Sequence, residues 1–540
     1  MQTKYIQRFL WFYLIAMFFI SAYIYGIVLK ANGDNVEHLH TSWMVWMGYM
    51  PYKDFFQHHN PLTWYLSAPL VAYLIDDFSI YSIFNIISMS MLYGIAYYQA
   101  KLLFLDNSNK IASLFLAALL VSAYSLLWST DYRPDTFMFL FFYMGLYYLF
   151  VYLKKENDKF LIISFLSFFI SFMFTQKVLM HLIIPGLAVI YWLLIGKMKF
   201  SHFVKACTIP LILLACFVGY LYHHDALKVY WLSNYPFNTY IPKIFEEQRI
   251  IFPPREYIDF YVFLPIASIA SFYFLYKGSI LERLFSIMFL VETALRMLYF
   301  SAFLHYVIFW LMLSIMLSVM FLARPLKYRK LIIWANIIYL LTYSAYAHQI
   351  NYTHVTAWLG FGILILAIFF TQKVNQNNFL AGVGIIYLLF VGFYSYQLTY
   401  KNNIKTHDRQ NGHEIAFNIL TPCDYAINGY YATYNLKAKD PGYYAILLGQ
   451  IDVLGEKAGI AKRDDLNELI RTKKPKMISA GIFWDTYWEQ RGKKIPAHKI
   501  DPYLIKTYYD YSGAGDIHIL KPEYQKHGCV YNGKEWRFMD

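Results

Sequence analysis

The chain has 540 residues, of which 58% are hydrophobic, 21% aromatic and only 15% charged. This composition is too apolar for an ordinary soluble protein and predicts a polytopic membrane protein. The formal net charge of +13 would suit a nucleic-acid-binding protein, but much of it lies in short loops between apolar segments. Membrane topology explains this distribution better, and we expect no nucleic-acid partner.

Apolar stretches of about 17–25 residues, the length that crosses a bilayer, predict about thirteen transmembrane helices. The stretches are Leu10–Leu29, Ile80–Leu103, Ile111–Trp128, Phe137–Leu153, Phe160–Phe174, Val178–Ile195, Phe203–Tyr222, Phe260–Tyr276, Leu284–Phe300, Tyr306–Leu322, Leu331–Tyr346, Thr356–Phe370 and Phe379–Tyr396. The first stretch is too long and too aromatic for a cleaved signal peptide, so we interpret it as a retained anchor.

Alternate loops carry Lys and Arg residues, which the positive-inside rule assigns to the cytoplasm. These residues are Lys4, Arg8, Lys110, Lys154, Lys155, Lys159, Lys197, Lys199, Lys205, Lys277, Arg283, Arg324, Lys327, Arg329, Lys330 and Lys373. The remaining loops are rich in histidine and aromatic residues. We expect them to face the periplasm, outside the cell's inner (plasma) membrane, and an odd number of helices sends the C-terminus there too.

The first outer loop, residues 31–79, contains a polar stretch from Gly33 to Pro69 that is rich in ionisable side chains. Its acids and histidines are Asp34, Glu37, His38, His40, Asp54, His58 and His59. Connections between membrane helices are usually short, and ionisable groups near a bilayer are costly, so this density indicates a functional loop. The alternative is an interfacial loop whose tryptophans and Tyr52 lie among lipid headgroups.

This stretch resembles the first outer loop of GT-C fold polyprenyl-phosphate-sugar glycosyltransferases, which are related to the protein mannosyltransferases and to the aminoarabinose transferase acting on lipid A. The resemblance rests on an acid after the first membrane helix, then EHLH, then PYKDFFQHHNPLTWYLSAP. Many relatives begin the loop with Asp-Glu, whereas here Asn35 is second, so only Asp34 carries over. The resemblance implies the GT-C fold, with Asp34 as the base that accepts the acceptor's proton.

The motif STDYRPDTF is similar to the Arg-Pro-Asp motif of the same enzymes. It contributes Asp135, as a second acid near the acceptor, and Arg133, which either binds phosphate or pairs with Asp131. Asp135 begins a predicted helix, where the helix dipole favours a carboxylate, so simple capping is the alternative.

Further cationic and aromatic residues lie at the predicted outer ends of helices. Lys177, in FTQKVLM, either reaches a phosphate or extends to the interface. Arg296 lies within an apolar run and needs a partner, such as a lipid phosphate or a carboxylate. His305 and Tyr306, in SAFLHYVIF, are similar to a His-Tyr element in relatives, although Tyr306 equally suits an aromatic belt.

Two other regions complete the predicted organisation. Outer loop 223–258 mixes basic and aromatic residues and is interpreted as a lid or acceptor-binding loop. After a transmembrane catalytic domain at 1–398, helix-like and strand-like segments alternate, which predicts a small extracytoplasmic α/β domain at 399–540. Its cysteines, Cys423 and Cys529, either form a disulfide or remain unpaired buried thiols.

The predicted chemistry is one-step, inverting transfer of a sugar from a polyprenyl-phosphate donor to a lipid, glycan or protein acceptor. A phosphate leaving group needs charge stabilisation more than a general acid. The candidate donor-binding residues are His58, His59, Arg133, Lys177, Arg296, His305 and Tyr306, supported by Glu37, His38, Tyr52 and Asp54. The i,i+3 spacing of Asp34 and Glu37 permits a divalent metal, but two carboxylates do not predict one.

Two other function classes remain open. A polysaccharide polymerase or ligase acting on diphosphate-linked glycans would share long outer loops and basic residues, but would not need PYKDFFQHHNPL. A lipid-linked sugar transporter or flippase would have its polar residues in mid-helix and would tolerate loss of the Asp34 carboxylate. Here the candidate residues cluster at one membrane face, which favours catalysis at the outer leaflet.

Overall fold

The fold is given by a computed structural model. The structure describes residues 2–23, 33–103, 105, 132–239, 258–298, 307–322, 407–427, 435–444, 450–479, 500–512, 517–532 and 535–539.

In the part of the chain before residue 323, the described residues form helices and the short segments that join them. Its helices are α1 Gln2–Tyr23, α2 Gly33–Trp46, α3 Leu62–Leu74, α4 Ile80–Leu103, α5 Pro134–Lys155, α6 Asp158–Phe174, α7 Val178–Leu194, α8 Phe200–His223, α9 Leu227–Asn234, α10 Ile258–Lys277, α11 Ile280–Leu298 and α12 Val307–Leu322. Every predicted span that falls on these ranges coincides with a helix. The spans Ile111–Trp128, Leu331–Tyr346, Thr356–Phe370 and Phe379–Tyr396 lie outside the described residues, so the total of thirteen stays a prediction.

Three described helices, α4, α5 and α8, are long and apolar enough to cross a bilayer. In lipid, an α-helix satisfies all of its backbone polar groups internally, which is why these apolar sequences are helical. Helix α8 exposes large aliphatic side chains such as Leu211 and Ile212 along its length. Such exposure suits contact with lipid and not with water, and the fold is that of a polytopic membrane protein.

Helices α5 and α6 approach each other closely at Gly145. A Cβ atom on this residue would lie 2.5 Å from Cε1 of Phe168. The Ser164 hydroxyl donates to the Gly145 carbonyl across the same contact, at 2.8 Å. Small residues permit this close approach, which holds the middle of α5 against α6.

The first outer loop folds into helices α2 and α3, joined by a turn-rich segment at 47–61. Tyr52 lies in this segment with φ of 71°, a left-handed conformation that costs a non-glycine residue about 1–3 kcal/mol. Two contacts hold Tyr52 there: its amide donates to the Phe55 carbonyl at 3.0 Å, and its hydroxyl donates to the His59 carbonyl. The segment that carries the histidine pair is therefore tightly constrained.

The described residues after 406 combine helices with small sheets, the alternation that the sequence predicts. The helices are α13 His407–Ile419, α14 Gln450–Lys457, α15 Leu466–Lys473, α16 Pro502–Tyr508 and a 3₁₀ turn at Pro522–Tyr524. The strands are β1 Ala426–Ile427, β2 Met477–Ser479, β3 Tyr509–Tyr511, β4 Ile517–Leu520, β5 Cys529–Tyr531 and β6 Trp536–Phe538. One sheet has the order β1-β2-β4-β3, in which only β1 and β2 are parallel, and β5 and β6 form a separate antiparallel pair.

The sheet registers are fixed by buried aliphatic residues. Ala426 lies opposite Met477, which lies opposite Ile519, so one row of apolar side chains crosses three strands. Cys423 and Cys529 form a disulfide that connects positions 106 residues apart. The structure thus has the first of the two alternatives that the sequence leaves open for these cysteines.

The outer loops share hydrophobic cores with the C-terminal region. Phe56 and Phe237 pack into the cluster that contains Ile427 and Tyr444. Leu436 packs into a different cluster, with the apolar side chains of α2. The loop that carries the predicted site is therefore enclosed between the helical bundle and the C-terminal region.

Candidate functional site

Asp34 and Glu37 both lie on helix α2. Asp34 is its second residue, and nothing is described of the Asp34 side chain. The Glu37 side chain is buried. The position of the predicted base is therefore defined by the backbone, at the N-terminus of α2.

Lys177 and Asp135 meet as an ion pair at the N-terminal ends of α7 and α5. The Lys177 Nζ atom lies 3.2 Å from Asp135 Oδ1, and the two side chains are only 18% and 7% exposed. Asp135 lies in the first turn of α5, after Pro134 at the N1 position and an extended Arg133. The sequence motifs RPD and TQK, 42 residues apart, are thus brought into direct contact.

The histidine pair lies within reach of these charges. The rings of His58 and His59 are 4.2 Å apart, and His38 of α2 lies 5.9 Å from His59. Burial lowers the pKa of His58 to about 3, with further lowering by the charges of Lys177 and His38 and by that of Arg133. The structure thus brings together the three histidines, Lys177 and Arg133.

Both rings of the pair are neutral at neutral pH. Burial lowers the pKa of His59 well below its usual value, and His58 and Lys177 add to the effect. The Nδ1 atoms of His58 and His59 are buried and have no hydrogen-bond partner among the described residues. Buried polar atoms are rarely left unpaired, so these two nitrogens are suited to hydrogen bonds with a ligand. They would not supply positive charge.

Side-chain amides hold the histidine segment against the bundle. The Gln176 amide donates to the carbonyls of His58, at 2.9 Å, and Asn234, at 3.1 Å. The Asn60 amide donates to the Phe172 carbonyl and accepts from Tyr230 at 2.8 Å. These residues were missed by the sequence analysis. Their position in the sequence was a signal that could have identified them, because Asn60 follows His58 and His59 and Gln176 precedes Lys177.

Asn35 is a second residue whose role appears only in the structure. It is buried, its amide donates to Asn85 Oδ1 at 2.5 Å, and its oxygen accepts from the Tyr132 amide. Asn35 thus ties α2 to α4 and to the residue before Arg133. The departure from the Asp-Glu pattern of relatives has a structural consequence here.

The supporting residues of the loop have mainly structural contacts. Tyr52 is buried and bonded to the His59 carbonyl, and burial raises its pKa, so its hydroxyl remains a donor. Asp54 is exposed and accepts from the Met50 amide at 2.6 Å. His38 Nδ1 lies 3.4 Å from Trp64 Nε1.

Three other predicted site residues are not tested by the geometry. Arg296 lies on α11, and nothing is described of its side chain. His305 and Tyr306 lie outside the described residues, as does Asp131. Within the part of the chain that the structure describes, no group of three or more His, Cys, Asp or Glu side chains is arranged to hold a metal ion.

An apolar cavity of about 240 Å³ lies beside the histidine segment. Its lining residues are Met50, Pro51, Tyr52, Pro61, Leu62, Tyr65, Met173, Phe217, Tyr220 and Leu221. The hydroxyls of Tyr65 and Tyr220 lie 3.1 Å apart at its edge. The cavity thus joins the lipid-exposed surface of α8 to Tyr52, which contacts His59.

The polytopic helical bundle with its C-terminal α/β region has the fold that the resemblance of the first outer loop implies, as comparison with solved structures shows. The solved structures it resembles include ArnT from Cupriavidus metallidurans in the apo state, with 10% identity over 94% of this chain and 97% of ArnT, and a TM-score of 0.57. ArnT bound to undecaprenyl phosphate gives 12% identity over 96% of this chain and 98% of that chain, with a TM-score of 0.53. At this identity the likeness concerns the fold. No protein-family model and no curated protein matches the chain.

Proposed function

We propose that the protein is an integral-membrane inverting glycosyltransferase that transfers a sugar from a polyprenyl-phosphate donor to a lipid, glycan or protein acceptor on the outer face of the inner membrane. The observation that carries the proposal is the cluster of Lys177, Asp135, Arg133 and two neutral histidines at one end of a GT-C bundle. The similar ArnT structure contains undecaprenyl phosphate, which supports a polyprenyl-phosphate ligand.

Lys177 and Arg133 would balance the charge of the donor phosphate. The mostly buried Lys177–Asp135 pair keeps the lysine ammonium group in a low-dielectric site at one end of the bundle. The attraction of the ammonium group to an anion is stronger there than in water. The unpartnered Nδ1 atoms of His58 and His59 would bond to the phosphate or the sugar. Donor binding would therefore use both charge and neutral hydrogen bonds.

In the transfer step, the acceptor oxygen or nitrogen attacks the anomeric carbon from the face opposite the phosphate. The new bond forms as the carbon–oxygen bond to the phosphate breaks, and the phosphate leaves with the electron pair. Asp34 would accept the proton lost by the acceptor, with Asp135 as a second acid nearby. The bond from the adjacent Asn35 to Tyr132 supports this assignment, because it ties the N-terminus of α2 to the segment that carries Arg133 and Asp135.

The apolar cavity would take the first part of a lipid chain whose headgroup lies at the histidine segment. Its lining is hydrocarbon and aromatic, and it adjoins α8, whose exposed side chains suit lipid. A polyprenyl donor must keep its chain in the membrane while its phosphate meets Lys177. This requirement is consistent with an apolar cavity next to Tyr52.

An outer location of the site is supported by two independent features. Disulfides persist in oxidising compartments, and Cys423 is bonded to Cys529 in the C-terminal region. The Lys and Arg distribution of the loops indicates the same orientation. We propose residues 1–398 as the transmembrane catalytic domain, with loop 223–258 covering the site, and residues 399–540 as an extracytoplasmic domain.

The test is transfer of label from radiolabelled polyprenyl-phosphate sugars to membrane acceptors. Asp34→Asn should lower transfer at least about 100-fold, as expected for loss of a general base, and Lys177→Met should lower it as well. Lys205→Met is the matched control, because Lys205 forms a similar 3.0 Å pair with Asp158 but is 61% exposed, and it should transfer as the wild type does.

Equal transfer by Asp34→Asn and wild type would refute the assignment of the base. A wild type that transfers nothing from a broad monosaccharide donor panel would refute the proposed function. Transfer from a diphosphate-linked glycan in that case would favour the polymerase or ligase alternative.

A further inference from the structure

The segment Asn435–Tyr444, which we call the clasp, connects the C-terminal sheet to the outer loop. On the sheet side, the Lys439 amide donates to the Asp424 carbonyl at 2.8 Å and its carbonyl accepts from Ala426 at 3.1 Å. On the loop side, the Tyr443 carbonyl accepts from the Phe56 amide at 2.9 Å. The Tyr443 hydroxyl donates to the Tyr52 carbonyl, also at 2.9 Å. The clasp is thus anchored at both ends.

A buried histidine–carboxylate pair adds a third connection, between α2 and the clasp. His40 is fully buried, with Nδ1 3.0 Å from the Leu436 carbonyl and Nε2 3.2 Å from Asp440 Oδ2. The Asp440 side chain is 2% exposed. The imidazole lies stacked on Trp43, with ring centroids 5.7 Å apart.

The two contacts of His40 set the roles of its ring nitrogens. A carbonyl oxygen can only accept, so Nδ1 donates to Leu436. Nε2 faces a carboxyl oxygen of Asp440, and that contact needs one proton between the two atoms. Both hydrogen bonds can therefore form at once. Asp440 Oδ1 is buried without a hydrogen-bond partner among the described residues, so the side-chain hydrogen bond of this carboxyl group is the one between Oδ2 and His40.

The clasp touches both elements that carry the proposed site. Helix α2 bears His40 six residues after Asp34, the proposed base. The Phe56 ring packs against Tyr444 of the clasp, at 5.3 Å, and stacks on His58 at 5.9 Å. A shift of the clasp would therefore move the base and the histidines relative to the donor-binding cations on the bundle.

We propose that His40 and Asp440 are positioning residues, which hold α2 and the histidine segment in the geometry that sugar transfer requires. This inference rests on the proposed function. On this proposal, the C-terminal region contributes to catalysis by positioning α2 and the histidine segment, and not by contacting the substrate. The donor-binding cations Lys177 and Arg133 belong to the bundle, so the pair should affect turnover more than donor affinity.

The experiment compares full-length protein in lipid nanodiscs with Asp440→Leu, Asp440→Asn and the control Asp76→Leu. Asp76 pairs with Lys437 of the same clasp at 3.4 Å, but it is 87% exposed. In Asp440→Asn, the amide can donate to Nε2 of a neutral His40 while Nδ1–H still bonds to Leu436. That variant keeps both hydrogen bonds, whereas Asp440→Leu loses one.

The first readout is backbone hydrogen exchange, which needs no activity. Asp440→Leu should raise exchange several-fold in residues 33–46 and 50–60 and leave strands β2 and β4 unchanged. The second readout is turnover per protein molecule that binds undecaprenyl phosphate. Asp440→Leu should lower kcat about 10- to 100-fold, as small misplacements do, with the donor KM within about threefold of wild type. Asp440→Asn should recover most of the turnover, and Asp76→Leu should match wild type in both readouts.

Unchanged exchange in Asp440→Leu overturns the proposal, since the pair then holds nothing in place. Raised exchange with wild-type turnover per donor-bound protein also overturns it, because the contact is then only structural. If the wild type transfers nothing, the proposed function fails by itself. Exchange alone then decides whether the pair positions the loop.

Discussion

Replacing His58 by glutamine should make the protein less sensitive to acid. Burial and the charge of Lys177 lower the pKa of His58 in the folded protein to about 3, whereas an unfolded histidine has a pKa of about 6.5. Below pH 6.5 the unfolded chain therefore binds a proton that the folded protein does not. The contribution of His58 to the free energy of unfolding is therefore fully present above pH 6.5 and is lost as the pH decreases towards 3, as expected for a histidine whose pKa is lowered by folding. Between pH 7 and pH 5 the loss from this single group is about 2 kcal/mol.

The assay is denaturant unfolding in detergent micelles at both pH values, followed by tryptophan fluorescence. Wild type should lose more free energy of unfolding between pH 7 and pH 5 than His58→Gln, by about 2 kcal/mol. Some acid sensitivity should remain in the variant, because burial also lowers the pKa of His59. His223→Gln, which removes an exposed histidine at the end of α8, is the matched control and should behave as wild type. An equal loss in wild type and His58→Gln would refute the argument that this ring is held neutral.

Two further predictions concern the ion pair and the disulfide. Lys177→Met should lower the free energy of unfolding by about 3 kcal/mol, because it removes the cation beside buried Asp135. The double variant with Asp135→Asn should regain most of this stability without regaining transfer. Purely additive losses of the two single variants in thermal unfolding would contradict the pairing. Replacing Cys423 and Cys529 by serine should destabilise the C-terminal region by about 2–5 kcal/mol, since their bond closes a long loop. The measurement is protease resistance, which dithiothreitol should lower in wild type but not in the variant. Equal resistance of both proteins under reducing and oxidising conditions would contradict the prediction.

The membrane helices were predictable because the bilayer fixes their length and composition. Ile80–Leu103 has the same bounds in the sequence analysis and in the structure, and the spans predicted between Phe137 and Tyr222 differ from their helices by a few residues at their ends. The first span, Leu10–Leu29, is less accurate, because α1 already begins at Gln2. Helix α5 begins where the sequence indicates, since Pro134 and Asp135 are typical of a first turn. Local chemistry was sufficient in both cases.

The contacts that assemble the site were not predictable, because they join residues far apart in the chain. Asn35 reads as a departure from a family pattern, and its partners Asn85 and Tyr132 lie 50 and 97 residues away. His40 is one of several histidines in a motif, and its partner Asp440 lies 400 residues away. Residue type and spacing identified the candidates, but only tertiary structure could assign their contacts.

Protonation was a further property that residue types could not give. The sequence suggested the histidine pair as candidates to stabilise phosphate charge, together with Lys177. Burial and the nearby cations keep both rings neutral, so among the candidate side chains that the structure describes, Lys177 and Arg133 would supply the positive charge. The balance between a buried imidazole and its neighbours depends on distances that the sequence does not contain.

The histidine segment is attached to its neighbours through uncharged hydrogen-bond donors. Gln176 and Asn238 bind the His58 carbonyl through neutral amides, and Tyr52 binds the His59 carbonyl through a hydroxyl. In a low-dielectric setting, a fixed charge used for such attachment would compete with an anionic ligand for the same electrostatic stabilisation. Here the carbonyls of His58 and His59 are bound by neutral donors, while Lys177, one residue after Gln176, forms an ion pair with Asp135.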